Sequence, residues 1–213
     1  MDDAPEFDET FRKQLEELFK WRRDVRSFRS DPVDAQLIEH LIGLASLAPS
    51  VGYSQPWRFV LVESCECRES VRANFEQCNR EALQFYSGEK AELYANLKLA
   101  GLRDAPVHLA VFLAPYTASG SGLGRATMPE TLEYSAVLAV YTFWLAARSH
   151  GLGVGWVSIL DPVKINHDLS VPKDWKLIAY LCIGYPILDS STPELLRRSW
   201  EATLPTAEII SKR

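Results

Sequence analysis

Arg22-Arg23-Asp24-Val25-Arg26 sets three guanidinium groups and one carboxylate within five residues. A guanidinium suits phosphate because its planar fork donates two parallel hydrogen bonds and keeps its charge at any pH. Three of them in a loop after a helix can converge on one dianion. Taken alone, the run also describes a salt-bridged basic turn. A second constellation is Ala48-Pro49-Ser50-Val51-Gly52-Tyr53-Ser54-Gln55-Pro56-Trp57. Its prolines and glycine stiffen the backbone and present Ser50, Ser54 and Gln55 beside an aromatic ring. Such a loop suits a flat heteroaromatic ligand, and it equally suits a plain helix–strand connection. The third is Gly151-Leu-Gly153-Val-Gly155-Trp156-Val-Ser158. Glycine lets a ligand approach the backbone closely, and Ser158 offers a neutral hydroxyl inside an expected apolar strand. The plainer reading is a helix C-cap running into a buried strand.

Other chemistries lack their patterns. Gly120-Ser-Gly122-Leu-Gly124 misses the third-glycine spacing of a dinucleotide fingerprint, and Gly153-Val-Gly155 precedes a strand where the fingerprint follows one. The histidines at 40, 108, 150 and 167 show no ligand spacing, so no metal is expected. No nucleophile elbow supports a serine triad. Cys65-Glu-Cys67 lacks the two-residue spacing of a redox or zinc pair, so all four cysteines are expected to be free thiols. The start is acidic, without the apolar core of a secretory signal, which makes the cytoplasm the expected compartment. The longest apolar stretch, Ala136 to Ala147, falls short of the roughly 20 residues a membrane span needs. With 23 basic against 28 acidic residues the net charge is −5, which offers no case for nucleic-acid binding.

The elements that must position these groups are readable from periodicity. Phe7, Phe11, Leu15, Leu18 and Phe19 recur at helical spacing behind Asp8, a plausible N-cap. After a turn at Asp31-Pro32 comes a second helix carrying Leu37, Ile38, Leu41, Ile42 and Ala45, stopped before Pro49. Strands are expected at 57–62, 107–113, 155–160 and 175–183, the second nearly continuous in apolarity and therefore central. Residues 66–100 read as helices with many charges. Residues 131–149 form a helix apolar almost all round, which must sit at the centre of the fold or meet another subunit. At 213 residues with 47% apolar content, the chain is expected to be one α+β domain over 1–213.

In this order the segments resemble the flavin-dependent nitroreductase family, whose members hold FMN at a homodimer interface. The likeness rests on Arg22–Arg26, Leu47–Trp57, Leu97-Lys-Leu-Ala-Gly101, Leu145-Ala-Ala-Arg148 and Gly153–Ile159. It is closer to one branch, which consumes reduced FMN and oxygen to make 5,6-dimethylbenzimidazole, the lower ligand of vitamin B12, and erythrose 4-phosphate. The resemblance implies a nitroreductase-like fold with a central, mostly antiparallel sheet flanked by helices, and a homodimer with ligand sites at the interface. It implies that Arg22, Arg23 and Arg26 hold the phosphate and ribityl end of FMN, that Ser50 and the Leu97 region contact the flavin, and that Val25 and Gln55 belong to the same cofactor-binding set. Asp24 would be the base or proton shuttle and Ser158 a hydrogen-bond partner of the ring. A lid-like segment is expected around 79–103, and a separate flavin reductase could supply reduced FMN. An NAD(P)H-dependent nitroreductase with prosthetic FMN and a non-catalytic flavin carrier are the alternatives. Relatives often place a basic residue near the end of the chain; whether Arg197 or Arg198 takes that part stays open at this point.

Overall fold

Residues 4–95 and 100–213 are described by a computed structural model of the chain. Helix α1 (Glu9–Trp21) begins as expected at Asp8, whose carboxylate accepts the Phe11 N–H at 2.7 Å. Helix α2 (Ala35–Ala45) is capped in the same way by Asp34 and ends before Pro49. Strand β1 (Trp57–Leu61) follows. Helices α3 (Cys65–Leu83), α4 (Gly88–Ala95) and α5 (Gly101–Asp104) fill the charged helical stretch, and β2 (Val107–Leu113) comes next. Helix α6 (Thr131–Ser149), β3 (Gly153–Val157), α7 (Pro162–Asp168), β4 (Lys176–Gly184), α8 (Glu194–Arg197) and α9 (Thr206–Ile209) complete the order.

The four strands lie in the order β1-β2-β4-β3, with every ladder antiparallel. Side chains alternate across the sheet with period two. Leu109, Val111, Ala179, Leu181 and Ile183 face Ile38 and Leu41 of α2 and Val140 and Phe143 of α6. Ala110, Phe112, Tyr180 and Cys182 face the other way, onto Val71 of α3 and Ile165 of α7. Helix α6 is buried along one side only. On its other side Tyr134, Val137, Leu138 and Tyr141 remain exposed. Among the described residues no helix is long and apolar enough to cross a membrane.

One strand and one helix depart from expectation. Strand β3 spans 153–157 rather than 155–160, because Gly153 and Val154 pair with Gly184 and Ile183 at the far end of the ladder. The chain then leaves the sheet to start α7, which the periodicity did not announce. Asp161 caps it by accepting the Val163 N–H at 2.9 Å, with Pro162 in the first turn. Ser158 therefore stands exposed beyond the end of the strand, not inside it.

Candidate active site

The arginine-rich segment is held as extended chain between two others. The Val25 N–H donates to the Val154 carbonyl at 3.0 Å, making one parallel bridge to the edge of β3. On the other side Arg29 N–H donates to Tyr185 O at 2.8 Å, and Ile187 N–H to Ser27 O at 3.2 Å. Phe28 anchors the segment, its ring buried in the core beneath β3 and β4. This packing explains the glycines of the third motif. A Cβ on Gly155 would press into the Val25 carbonyl oxygen, and one on Gly153 into the Val25 side chain. The close approach expected of a ligand is made instead by the chain's own backbone.

Asp24 occupies the next position. Its Oδ1 accepts the Trp156 N–H at 2.9 Å, replacing a main-chain acceptor at the sheet edge. Its Oδ2 lies 3.4 Å from Arg26 Nε, while the Asp24 side chain keeps 37% exposure and that of Arg26 only 14%. Burial pushes the carboxyl above its ordinary pKa and outweighs the Trp156 N–H and Arg26, which pull it down. The negative charge of Glu194 adds to the upward push. One carboxylate oxygen is thus fixed by the main chain, and the other meets Arg26 on a side chain still open to solvent.

That solvent is a cleft of about 300 Å³. Arg23, Asp24, Val25 and Arg26 line it from one side, with Trp144 and Arg148 of α6 behind. The far wall is the chain after β4, including Asp189, Glu194, Arg197 and Arg198. Arg23 is tied to that wall by its Nε, which donates to Ser191 O at 2.7 Å, while its Nη1 donates to Arg22 O of its own segment at 2.7 Å. Arg148 pairs with Asp189 at 2.6 Å, and Arg198 Nε donates to Glu194 at 2.8 Å. Five arginines face three carboxylates, an excess of two positive charges. The sequence reading left the second wall out of the site. Its one local signal is the Glu194–Arg198 spacing, an ion pair one helical turn apart.

Other expected site residues lie elsewhere. Arg22 does not line the cleft; its guanidinium stacks over Trp144 at 4.9 Å and Tyr141 at 5.8 Å, with Nε buried and unpartnered. The Ser50–Trp57 loop is closed on itself: Ser50 Oγ accepts the Gln55 N–H and Ser135 Oγ the Val51 N–H, both at 3.1 Å. The loop at 120–124 packs over Gly52. Neither Ser50 nor Gln55 reaches the cleft of its own chain. Ser158 is two residues beyond Trp156, roughly 7 Å along extended chain. Leu97 falls outside the described residues, as does part of the lid-like segment 79–103. Within that segment Tyr86 and Tyr94 stack on each other and Tyr86 meets Trp200 edge-on.

Residues 19–185 match the model of the Nitroreductase family. The chain is 52% identical over 202 residues to a 5,6-dimethylbenzimidazole synthase of Rhodospirillum rubrum, covering 95% of this chain and 96% of that protein. It is 48% identical over 200 residues to one of Rhodobacter capsulatus, covering 94% and 97%. Among solved structures it is similar to oxidised iodotyrosine deiodinase bound to FMN and 3-iodo-L-tyrosine. There the TM-score is 0.70 at 25% identity, over 83% of this chain and 91% of that one.

Proposed function

We propose, from the premise that this chain belongs to the nitroreductase family, that it cleaves reduced FMN with oxygen to 5,6-dimethylbenzimidazole and erythrose 4-phosphate. The single observation that carries this reading is the 52% identity, along 95% of the chain, to a relative of that activity. The cleft fits the expected ligand. Its excess of two positive charges matches a phosphate monoester, which carries about −1.5 to −2 at neutral pH. Its 300 Å³ suits the phosphate and sugar-alcohol end of FMN better than the whole molecule. The ring would then extend beyond it, toward groups supplied by a second copy. The exposed apolar side of α6, with Tyr134, Val137, Leu138 and Tyr141, supports a homodimer, and the Ser50–Gln55 loop would serve the site across it.

Reduced FMN, when bound, supplies the electrons that oxygen takes up. The protein's own part is to grip, orient and move a proton. Arg23, Arg26, Arg197 and Arg198 would hold the phosphate, and Arg22 would steady the wall behind through Trp144. Asp24 would exchange a proton at Oδ2, because the Trp156 N–H occupies Oδ1. The opposing pulls on its pKa suit a group that must both take and give a proton. Ser158 would donate to the ring from the end of β3.

An aerobic reaction started with chemically reduced FMN tests this, with the products read by mass spectrometry. 5,6-Dimethylbenzimidazole is the expected product. Rapid NADPH oxidation with a nitroaromatic and no benzimidazole would assign the chain to prosthetic-flavin nitroreductases. Tight FMN binding with neither reaction would make it a flavin carrier.

A further inference from the structure

Besides Asp24 the cleft holds two carboxylates, Asp189, which is paired with Arg148, and Glu194. Glu194 opens α8 and turns inward, its side chain only 19% exposed. Its Oε1 accepts from Arg198 Nε at 2.8 Å, and its Oε2 lies 3.9 Å from Arg26 Nε. The same Arg26 nitrogen stands 3.4 Å from Asp24 Oδ2, so one guanidinium is shared between two acids. These arginines come from opposite walls, and Glu194 is what spans them. Arg23 and Arg197 line the same space, while Arg148 is already taken by Asp189.

Carboxylate and phosphate engage guanidinium through the same N–H groups. A carboxylate lying between two arginines therefore occupies ground that a phosphate oxygen would take. We infer that Glu194 is a built-in placeholder anion, which keeps Arg26 and Arg198 facing each other in the free protein and yields to the phosphate of the incoming ligand. This rests on reading the cleft as the phosphate end of the FMN site. The placeholder makes every phosphate compete with an internal carboxylate. Weakly charged ligands lose that competition, and a dianion held by several arginines wins it. It also lets opposed cations face each other before any ligand arrives.

The test compares wild type, Glu194→Gln and Glu194→Asp as full-length protein. Glutamine keeps the shape and a carbonyl acceptor for Arg198 but removes the charge. Aspartate keeps the charge but is one methylene too short to span both arginines. Oxidised FMN and riboflavin, which differ only in the phosphate, are titrated by flavin fluorescence, and inorganic phosphate is used to displace FMN. Glu194→Gln should tighten FMN about tenfold, the scale of a lost competing ion pair, and Glu194→Asp by less. Riboflavin should change less than about twofold, and inorganic phosphate should displace FMN from Glu194→Gln at lower concentration.

FMN affinity unchanged or weakened in both variants overturns the placeholder, as does equal tightening for riboflavin. If wild type itself binds FMN no better than riboflavin, the phosphate reading of the cleft fails first and the placeholder falls with it. Should Glu194→Gln unfold, Glu194→Asp decides by the same comparison.

Discussion

Two groups of ionisable side chains belong to one sheet, one bridged to its edge and one in its middle, and they differ in one respect. Asp24 is fixed to the edge of β3 through Trp156 and has its pKa raised mainly by burial. On the neighbouring strands, His108 Nδ1 meets Tyr180 OH at 2.8 Å. Burial pushes His108 down to about 4 and drives the Tyr180 hydroxyl and the Cys182 thiol well above their ordinary ranges. The largest shifts are therefore in the second group. Yet His108 and Tyr180 are sealed in the core, with His108 bonded to Tyr180 and to the Ala105 backbone, while Asp24 keeps a partly exposed side chain at a cleft. A perturbed pKa marks burial; it marks function only where a substrate can arrive.

The contrast breaks most sharply at Asp24. Asp24→Asn should lower benzimidazole formation by at least about 100-fold, the usual reach of a positioned acid–base group. FMN affinity should stay within a few-fold, because the arginines remain. A His108→Gln protein at saturating FMN should keep turnover within a few-fold of wild type. The reverse pattern in steady-state rates would reverse the assignment of the two groups.

Gly155→Ala attacks the frame that holds Asp24. Its methyl group must displace the Val25 carbonyl, which is backbone of a residue whose N–H is tied to Val154 O. We expect a loss of about 3 kcal/mol in denaturant unfolding, at the upper end for overpacking, together with loss of FMN binding. Stability unchanged with FMN still bound would show that residues 24–28 can move without dismantling the cleft.

The sealed pair has its signature in acid. In the fold His108 is held neutral down to about 4, whereas an unfolded imidazole protonates near its ordinary value of about 6.5. The unfolded chain therefore binds more protons across that interval, and stability contributed by the neutral ring is present above it and lost as pH falls through it. The ceiling is of order 3 kcal/mol. Unfolding midpoints of wild type should fall more steeply than those of His108→Gln between these limits. Parallel acid limbs would show that water reaches the pair.

How much of this could be read in the sequence follows from how local each cause is. The Asp8 cap of α1, the continuous apolarity of β2 and the all-round apolarity of α6 depend on neighbours within a few residues, and all three were legible; which side of α6 is buried was not. The arginine run was legible as chemistry, because guanidinium groups in one loop have few uses. What it would meet was not. Arg23 reaches Ser191 across 168 residues, and no local pattern encodes such a contact. The same limit hid Glu194 in the second wall of the cleft and left the part of Arg197 and Arg198 undecided. Helix α7 escaped because it is about two capped turns with a single buried apolar residue, Ile165, too short to show a period. Gly153 and Gly155 were legible as places of close approach, but type and spacing do not say what approaches.

The smallest expected effect bears on the largest gap in the single chain, the separation of the Ser50 loop from the cleft. Ser50 Oγ accepts the Gln55 N–H, and Gln55 sits at φ 46°, a conformation that a side chain rarely adopts without support. Ser50→Ala should therefore cost about 1 kcal/mol of stability wherever the loop acts. If the loop serves only its own chain, FMN affinity will not change. If it completes the site of a second copy, affinity will fall a few-fold as well. Mixing Ser50→Ala with Asp24→Asn chains then decides the matter. Each mixed dimer would hold one site with both residues intact, and a fraction of sites with wild-type affinity and turnover should return. No recovery on mixing, with chain exchange shown by mass, would confine the loop to its own subunit.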